Sequence, residues 1–225
     1  MFSPRELDLE RGWPGRIDGD RVVQLAAQTL QAYFTGGGQA REHATYPLDD
    51  VVLRAPVLHP PSVRIYTETA LAFGNPASIY GPEAAVPYPD GSKQLQLELA
   101  LAAVIGADGQ IGGFTIMNDW TAPDLGPVKE KDFATSLGPV VVTPDEFDGG
   151  RASFVVRIDG DVHSTGALHP GDWPELLAYA ARNTRLLPGD VIAVGSTERF
   201  GVRRGETVEL EVRGIGVLHN IVEPR

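Results

Sequence analysis

Hydrophobic positions along the chain change their period once. Between Arg21 and Phe34, the residues Val22, Val23, Ala26, Ala27, Leu30 and Phe34 fall on one stripe, which predicts a helix. Asp20 stands where an N-cap belongs, and Gly36-Gly37-Gly38 ends the run. From Val51 onward the period is two. Leu95, Leu97, Leu99 and Leu101 alternate with Gln94, Gln96, Glu98 and Ala100, predicting a strand with one apolar and one polar face. Arg151 to Asp159 alternates likewise and runs into Asp159-Gly160, a hairpin signal. Thr207 to Arg213 turns Val208, Leu210 and Val212 to one side. A second helix is predicted from Asp172-Trp173-Pro174-Glu175, a capping pattern with Pro in the first turn. Its stripe is Leu176, Leu177, Ala180, Ala181 and Thr184, and Leu187-Pro188-Gly189-Asp190 stops it. Many short strands divided by Gly and Pro turns predict a mainly β (α+β) fold with two or three helices. Residues 1–50 read as a small N-terminal region and 51–225 as the main domain.

Composition narrows the chemistry. At 225 residues the chain is long enough for one core. Nineteen Lys and Arg against 30 Asp and Glu give a net charge of −11, a surface that repels phosphate backbones, so no nucleic-acid partner is expected. The absence of cysteine excludes disulfides, thiolate zinc, iron–sulfur clusters and a Cys nucleophile. Any metal must therefore sit on oxygen or imidazole. The longest apolar run, Leu99 to Ile105, is far short of the roughly 20 residues that cross a bilayer. The N-terminus has no apolar targeting segment, so a cytoplasmic protein without a membrane partner is expected. No Gly-Lys-Ser/Thr follows the triple glycine, which reads as a linker and not as a phosphate loop.

Several positions could carry chemistry, each with a plainer alternative. Glu98 lies on the polar face of its strand, which on pattern alone is the solvent side. Asp119, in Asn118-Asp119-Trp120, is either a turn cap or a metal ligand at a strand end. Glu68 follows a short strand. Lys131 belongs to a charged stretch whose lysines are expected to be solvated. Ser196 and Thr197 follow an apolar strand and could cap a turn or bind a ligand carboxylate. The five histidines, His43, His59, His163, His169 and His219, show no metal-ligand spacing.

Read together, these segments resemble the fumarylacetoacetate hydrolase superfamily. The likeness rests on Phe73-Gly74-Asn75-Pro76-Ala77-Ser78-Ile79-Tyr80-Gly81-Pro82, on Leu97-Glu98-Leu99 with Val104-Ile105-Gly106, and on Ile116-Met117-Asn118-Asp119-Trp120-Thr121-Ala122. It continues through Lys131-Asp132-Phe133-Ala134-Thr135-Ser136-Leu137-Gly138-Pro139, Leu187-Pro188-Gly189-Asp190 and Gly214-Ile215-Gly216-Val217-Leu218. The resemblance implies mixed β-sheets rolled around a central site and a homodimer. It implies Mg²⁺, or Mn²⁺ or Ca²⁺, held by carboxylates, and a small oxo-acid or β-dicarbonyl substrate. Position by position it implies Glu98, Asp119 and Glu68 as metal ligands, Lys131 and Glu68 as catalytic groups, and Lys131, Ser196 and Asn75 as substrate contacts. Three departures stand out. Ala100 replaces the second glutamate of the family's Glu-x-Glu, Pro123 replaces its substrate-gripping arginine, and the stretch from Glu68 to Phe73 lacks the segment bearing its histidine base. The expected function is a metal-dependent enzyme performing C–C hydrolysis (the favoured outcome), decarboxylation or tautomerisation. The alternatives are a metal-free pocket that binds or cyclises an enolisable metabolite, and a non-catalytic dimer partner of an active relative.

Overall fold

A computed structural model describes residues 1–67, 71–196 and 198–224. Two sheets face each other across the main core. The larger has seven strands, in the spatial order 71–74, 63–66, 191–195, 99–105, 111–119, 135–142, 79–80. The smaller has five, in the order 161–168, 152–158, 207–212, 216–222, 85–86. This is the mainly β, curled architecture expected from the sequence, with two α-helices among the described residues, Leu30–Thr35 and Trp173–Ala180. Among the described residues no helix is long and apolar enough to cross a membrane.

The strand Leu99–Ile105 shows why the sheets stack. All seven of its residues are buried. Leu99, Leu101, Ala103 and Ile105 join the large core, which also holds Val156, Val208, Leu210 and Leu218 of the opposing sheet. Ala100 and Ala102 face the other way, into a second core with Val63, Ile65, Met117 and Val191. The expected polar, solvent-side face therefore exists only as far as Gln96. Alanines let a second apolar layer close over the strand, and the alternation that marks a half-exposed strand gives way to burial on both sides.

The hairpin at Asp159-Gly160 forms as expected: both residues take positive φ, 50° and 80°, which joins 152–158 to 161–168 in a tight turn. Asp172 caps the second helix by accepting from the Glu175 amide at 3.1 Å, and Trp173 is pinned by its indole N–H to the Gly149 carbonyl at 2.8 Å.

The first helix departs from expectation. Residues Arg21–Leu25 are a strand, paired on one side with Gly15–Asp18 and on the other with Glu42–Pro47. The helix begins only at Leu30, with Thr29 accepting from the Ala32 amide at 3.0 Å, and ends on Gly36. Val22 and Val23 are β-branched and buried, and two flanking ladders satisfy their backbones. Long-range pairing overrides the local helical stripe. The short helix is held by Phe34, whose ring lies where a Cβ at Gly112 would come within 2.5 Å, so only glycine permits that approach.

The central strand should dominate stability. Leu101 is fully buried, so Leu101→Ala should cost about 2–5 kcal/mol. Val128 is 85% exposed, and Val128→Ala should stay within about 0.5 kcal/mol. Urea unfolding of both variants checks the contrast.

Candidate active site

The strand that begins at Leu95 breaks at Glu98 and resumes at Leu99. The break is held from the neighbouring strand: the Glu98 amide donates to Asn118 Oδ1 at 3.0 Å, and the Asp119 amide donates to the Glu98 carbonyl at 3.0 Å. One step further, Gln96 and Thr121 exchange backbone hydrogen bonds at 2.8 and 2.9 Å. These bonds bring Glu98, Asp119 and Thr121 to one spot, all of them buried.

Lys131 arrives from the following loop. The loop is tied down at both ends of the lysine: Ala122 donates its amide to the Glu130 carbonyl at 2.7 Å, and Asn75 Nδ2 and Ser78 Oγ donate to the Asp132 carbonyl at 2.9 and 3.1 Å. The Lys131 ammonium then donates to Glu98 Oε1 at 2.9 Å, to Asp119 Oδ2 at 2.6 Å and to Thr121 Oγ1 at 2.6 Å. An ammonium has three N–H groups, and here each finds an acceptor. Thr121 in turn donates to Glu98 Oε1 at 2.6 Å. Arg199 completes the group, its Nε 3.0 Å from Glu98 Oε1 in an ion pair. Two carboxylates thus face two cations. Far from being a solvated loop lysine, Lys131 is only 18% exposed.

Burial pushes the Asp119 carboxyl above its ordinary value; Lys131 pulls it down, by charge and hydrogen bond, and Glu98 pushes it up. Its second oxygen, Oδ1, is buried without a hydrogen-bond partner among the described residues, as is Asn118 Nδ2.

The other expected residues that the structure describes lie outside this group. Glu68 and Thr197 lie outside the described residues. Asn75 is spent on the turn Asn75–Ser78 and on the loop that carries Lys131, so it positions that lysine. Ser196 donates its amide to the Leu99 carbonyl at 2.7 Å, and its hydroxyl makes a 3.4 Å bond to the Glu198 carbonyl, apart from the Lys131 group. His219 pairs with exposed Glu83 at 2.7 Å, and His163 packs against Phe200; neither belongs to the group. Strands 63–66 and 71–74 pair with Tyr66 opposite Leu71, so four residues span the place where a histidine-bearing segment was expected to be missing. Sequence reasoning did not single out Thr121 or Arg199. Thr121 was visible only as a hydroxyl two residues after Asp119, and Arg199 reaches Glu98 from a segment about a hundred positions away in the chain.

Residues 48–223 match the family described as fumarylacetoacetate (FAA) hydrolase, C-terminal. The chain belongs to that family. An uncharacterized protein of Pyrococcus abyssi is 31% identical over 171 residues, covering 65% of this chain and 76% of its own length. The human mitochondrial oxaloacetate tautomerase FAHD2A is 29% identical over 178 residues, covering 65% of this chain but only 56% of the human protein. Among solved structures, the fumarylacetoacetate hydrolase of the psychrophile Exiguobacterium antarcticum superposes with a TM-score of 0.84 at 26% identity over 96% of both chains. The 5-carboxymethyl-2-hydroxymuconate delta-isomerase of Mycobacterium smegmatis does so at 0.80 and 25%, over 95% of this chain and 94% of its own.

A divalent ion, implied by the family resemblance, meets a poor donor set among the described residues. Among the described residues no three His, Asp or Glu side chains converge. Ala100, two residues from Glu98 on the face where a further carboxylate was expected, packs into the apolar second core. The charges of Glu98 and Asp119 are already answered by Lys131 and Arg199. The described side chains do not fit such an ion, and no chemical step is derived through one.

Removing the ammonium strands the buried Asp119 carboxylate and leaves Glu98 with Arg199 as its one remaining cation. Lys131→Met should therefore destabilise the fold by roughly 3–5 kcal/mol near neutral pH. A carboxyl with a raised native pKa contributes stability that is whole below its ordinary value and is lost as pH rises through the native one. The deficit of Lys131→Met should accordingly shrink as the pH falls and Asp119 takes up a proton. Urea unfolding of wild type and variant at mildly acidic and at neutral pH reads the difference.

Proposed function

We propose that the protein is an enzyme that interconverts the keto and enol forms of a small oxo acid by proton transfer. The observation that carries this reading is Asp119: a buried carboxyl with a raised pKa, one oxygen held by Lys131 and the other unpartnered. A carboxyl whose pKa is raised by burial, with one oxygen unpartnered, is suited to take a proton from carbon and return it to oxygen. Removing a proton beside a carbonyl leaves an enolate, and the positive charges of Lys131 and Arg199 lower the cost of that negative oxygen in a site partly screened from water. Thr121 and Glu98 hold the ammonium in place while the proton moves.

Tautomerisation asks for less than the alternatives. C–C hydrolysis, the outcome favoured by the sequence, needs an additional base to activate water. Among the described residues neither His163 nor His219 lies in the cluster, and His43, His59 and His169 are exposed. The tautomerase and isomerase names carried by FAHD2A and by the Mycobacterium smegmatis structure support the same choice.

A panel of oxaloacetate, acylpyruvates and cyclic β-diketones, followed by loss or gain of enol absorbance, tests the reading. Oxaloacetate tautomerisation is expected to accelerate, and Asp119→Asn should lower the rate by about 10²–10⁴-fold with the fold intact. Cleavage products in place of enol–keto exchange, or an Asp119→Asn variant as fast as wild type, would overturn it.

A further inference from the structure

We propose that Arg199 is the residue that grips the carboxylate of the oxo acid, and that Lys131 and Arg199 together stand in for a divalent cation. The proposal rests on the oxo-acid reading above and adds to it the identity of the group that binds the substrate. The argument begins with hydrogen-bond supply. Lys131 has three N–H groups, and Glu98, Asp119 and Thr121 take all three, so it offers charge to a ligand but no free donor. Arg199 differs. It meets Glu98 through Nε in an ion pair, and among the described residues its other guanidinium nitrogens make no hydrogen bond. Its side chain is half exposed, at 50%, against 11% for the Glu98 it touches. Arg199 is therefore anchored to the buried cluster on one side and open to solvent on the other.

A planar fork of N–H donors held beside a buried carboxylate is matched to a ligand carboxylate, which it can engage with two parallel hydrogen bonds. A divalent ion in such a site would supply two positive charges to gather the acid and keto oxygens of the substrate. Two side-chain cations supply the same charge here, and they satisfy Glu98 and Asp119 at the same time. A further positive ion would enter a group whose charges already cancel and would have to displace the ammonium from at least one carboxylate. The preference for an anion therefore comes from hydrogen-bond supply: among the described side chains the unpaired Arg199 N–H groups offer donors to a carboxylate, while both carboxylates are already engaged by cations.

Oxalate, a planar dianion with adjacent carboxylates, is the probe. Calorimetric titration of the metal-free protein in excess EDTA should show saturable oxalate binding. Arg199→Ala should weaken it by roughly tenfold or more, and Arg199→Lys, which keeps the charge but loses the fork, should fall between. Arg199 is half exposed, so unchanged circular dichroism and thermal unfolding in Arg199→Ala exclude a folding artefact. Magnesium titrated alone should show no saturable binding tighter than about 1 mM. Oxalate binding only after Mg²⁺ is added, equal binding by Arg199→Ala, no oxalate binding at all, or tight Mg²⁺ binding by the free protein would each overturn the proposal. Oxalate binding as expected in a protein that turns over nothing in the oxo-acid panel would leave the cation pair standing and remove the tautomerase reading.

Discussion

The contact on which the site depends is a buried ammonium shared by two carboxylates and a hydroxyl. Taking an isolated carboxylate out of water costs far more than the net stability of a fold, so buried acids at this depth call for a counter-ion. Lys131 offsets part of that penalty by pairing with both, and Thr121 holds the geometry by donating to one acid while accepting from the lysine. Much of the local architecture serves this meeting. The strand breaks at Glu98, the Asn118 side chain holds the broken backbone, and Asn75 and Ser78 fasten the loop that delivers the lysine. A buried, charge-balanced group of this kind contributes little net stability compared with apolar packing. Its persistence in the middle of an otherwise apolar sheet is better explained by chemistry than by folding.

The same balance shapes what the site does. A carboxyl pushed up by burial takes up a proton more readily than one drawn fully into metal ligation, and the proposed proton transfer rests on that difference. The family to which the chain belongs includes members named as hydrolases, isomerases and tautomerases. Here the alanine at position 100 packs into the apolar second core, so no carboxylate from that position reaches Glu98 and Asp119. Function follows the inventory of side chains at the site, with the fold setting only where they meet.

How much of this was legible beforehand varies element by element. The hairpin at Asp159-Gly160 and the start of the helix after Asp172 follow local rules, positive φ in a two-residue turn and a side-chain cap, and both form where the sequence puts them, although the helix ends at Ala180, short of the predicted stripe to Thr184. The run from Arg21 to Phe34 misled because its valines satisfy a helical stripe and a strand equally well, and the flanking strands 15–18 and 42–47, distant in sequence on one side, decided for the strand. Glu98, Asp119 and Lys131 could be named from motif resemblance. Their mutual contact could not: pattern alone put Glu98 on an exposed face and Lys131 in water. Arg199 carried no motif at all.

Local periodicity, turn chemistry and composition determined the β-rich class, the absence of any thiol chemistry and the acidic surface, because these depend on neighbouring residues or on counts alone. The tertiary structure alone decided that the face beyond Glu98 is buried, that a loop lysine becomes the shared counter-ion of two acids, and that an arginine about a hundred positions from Glu98 joins them. Each of those outcomes depends on segments far apart in the chain closing around one point, and on the electrostatic cost of a buried charge, which no single stretch of sequence can express.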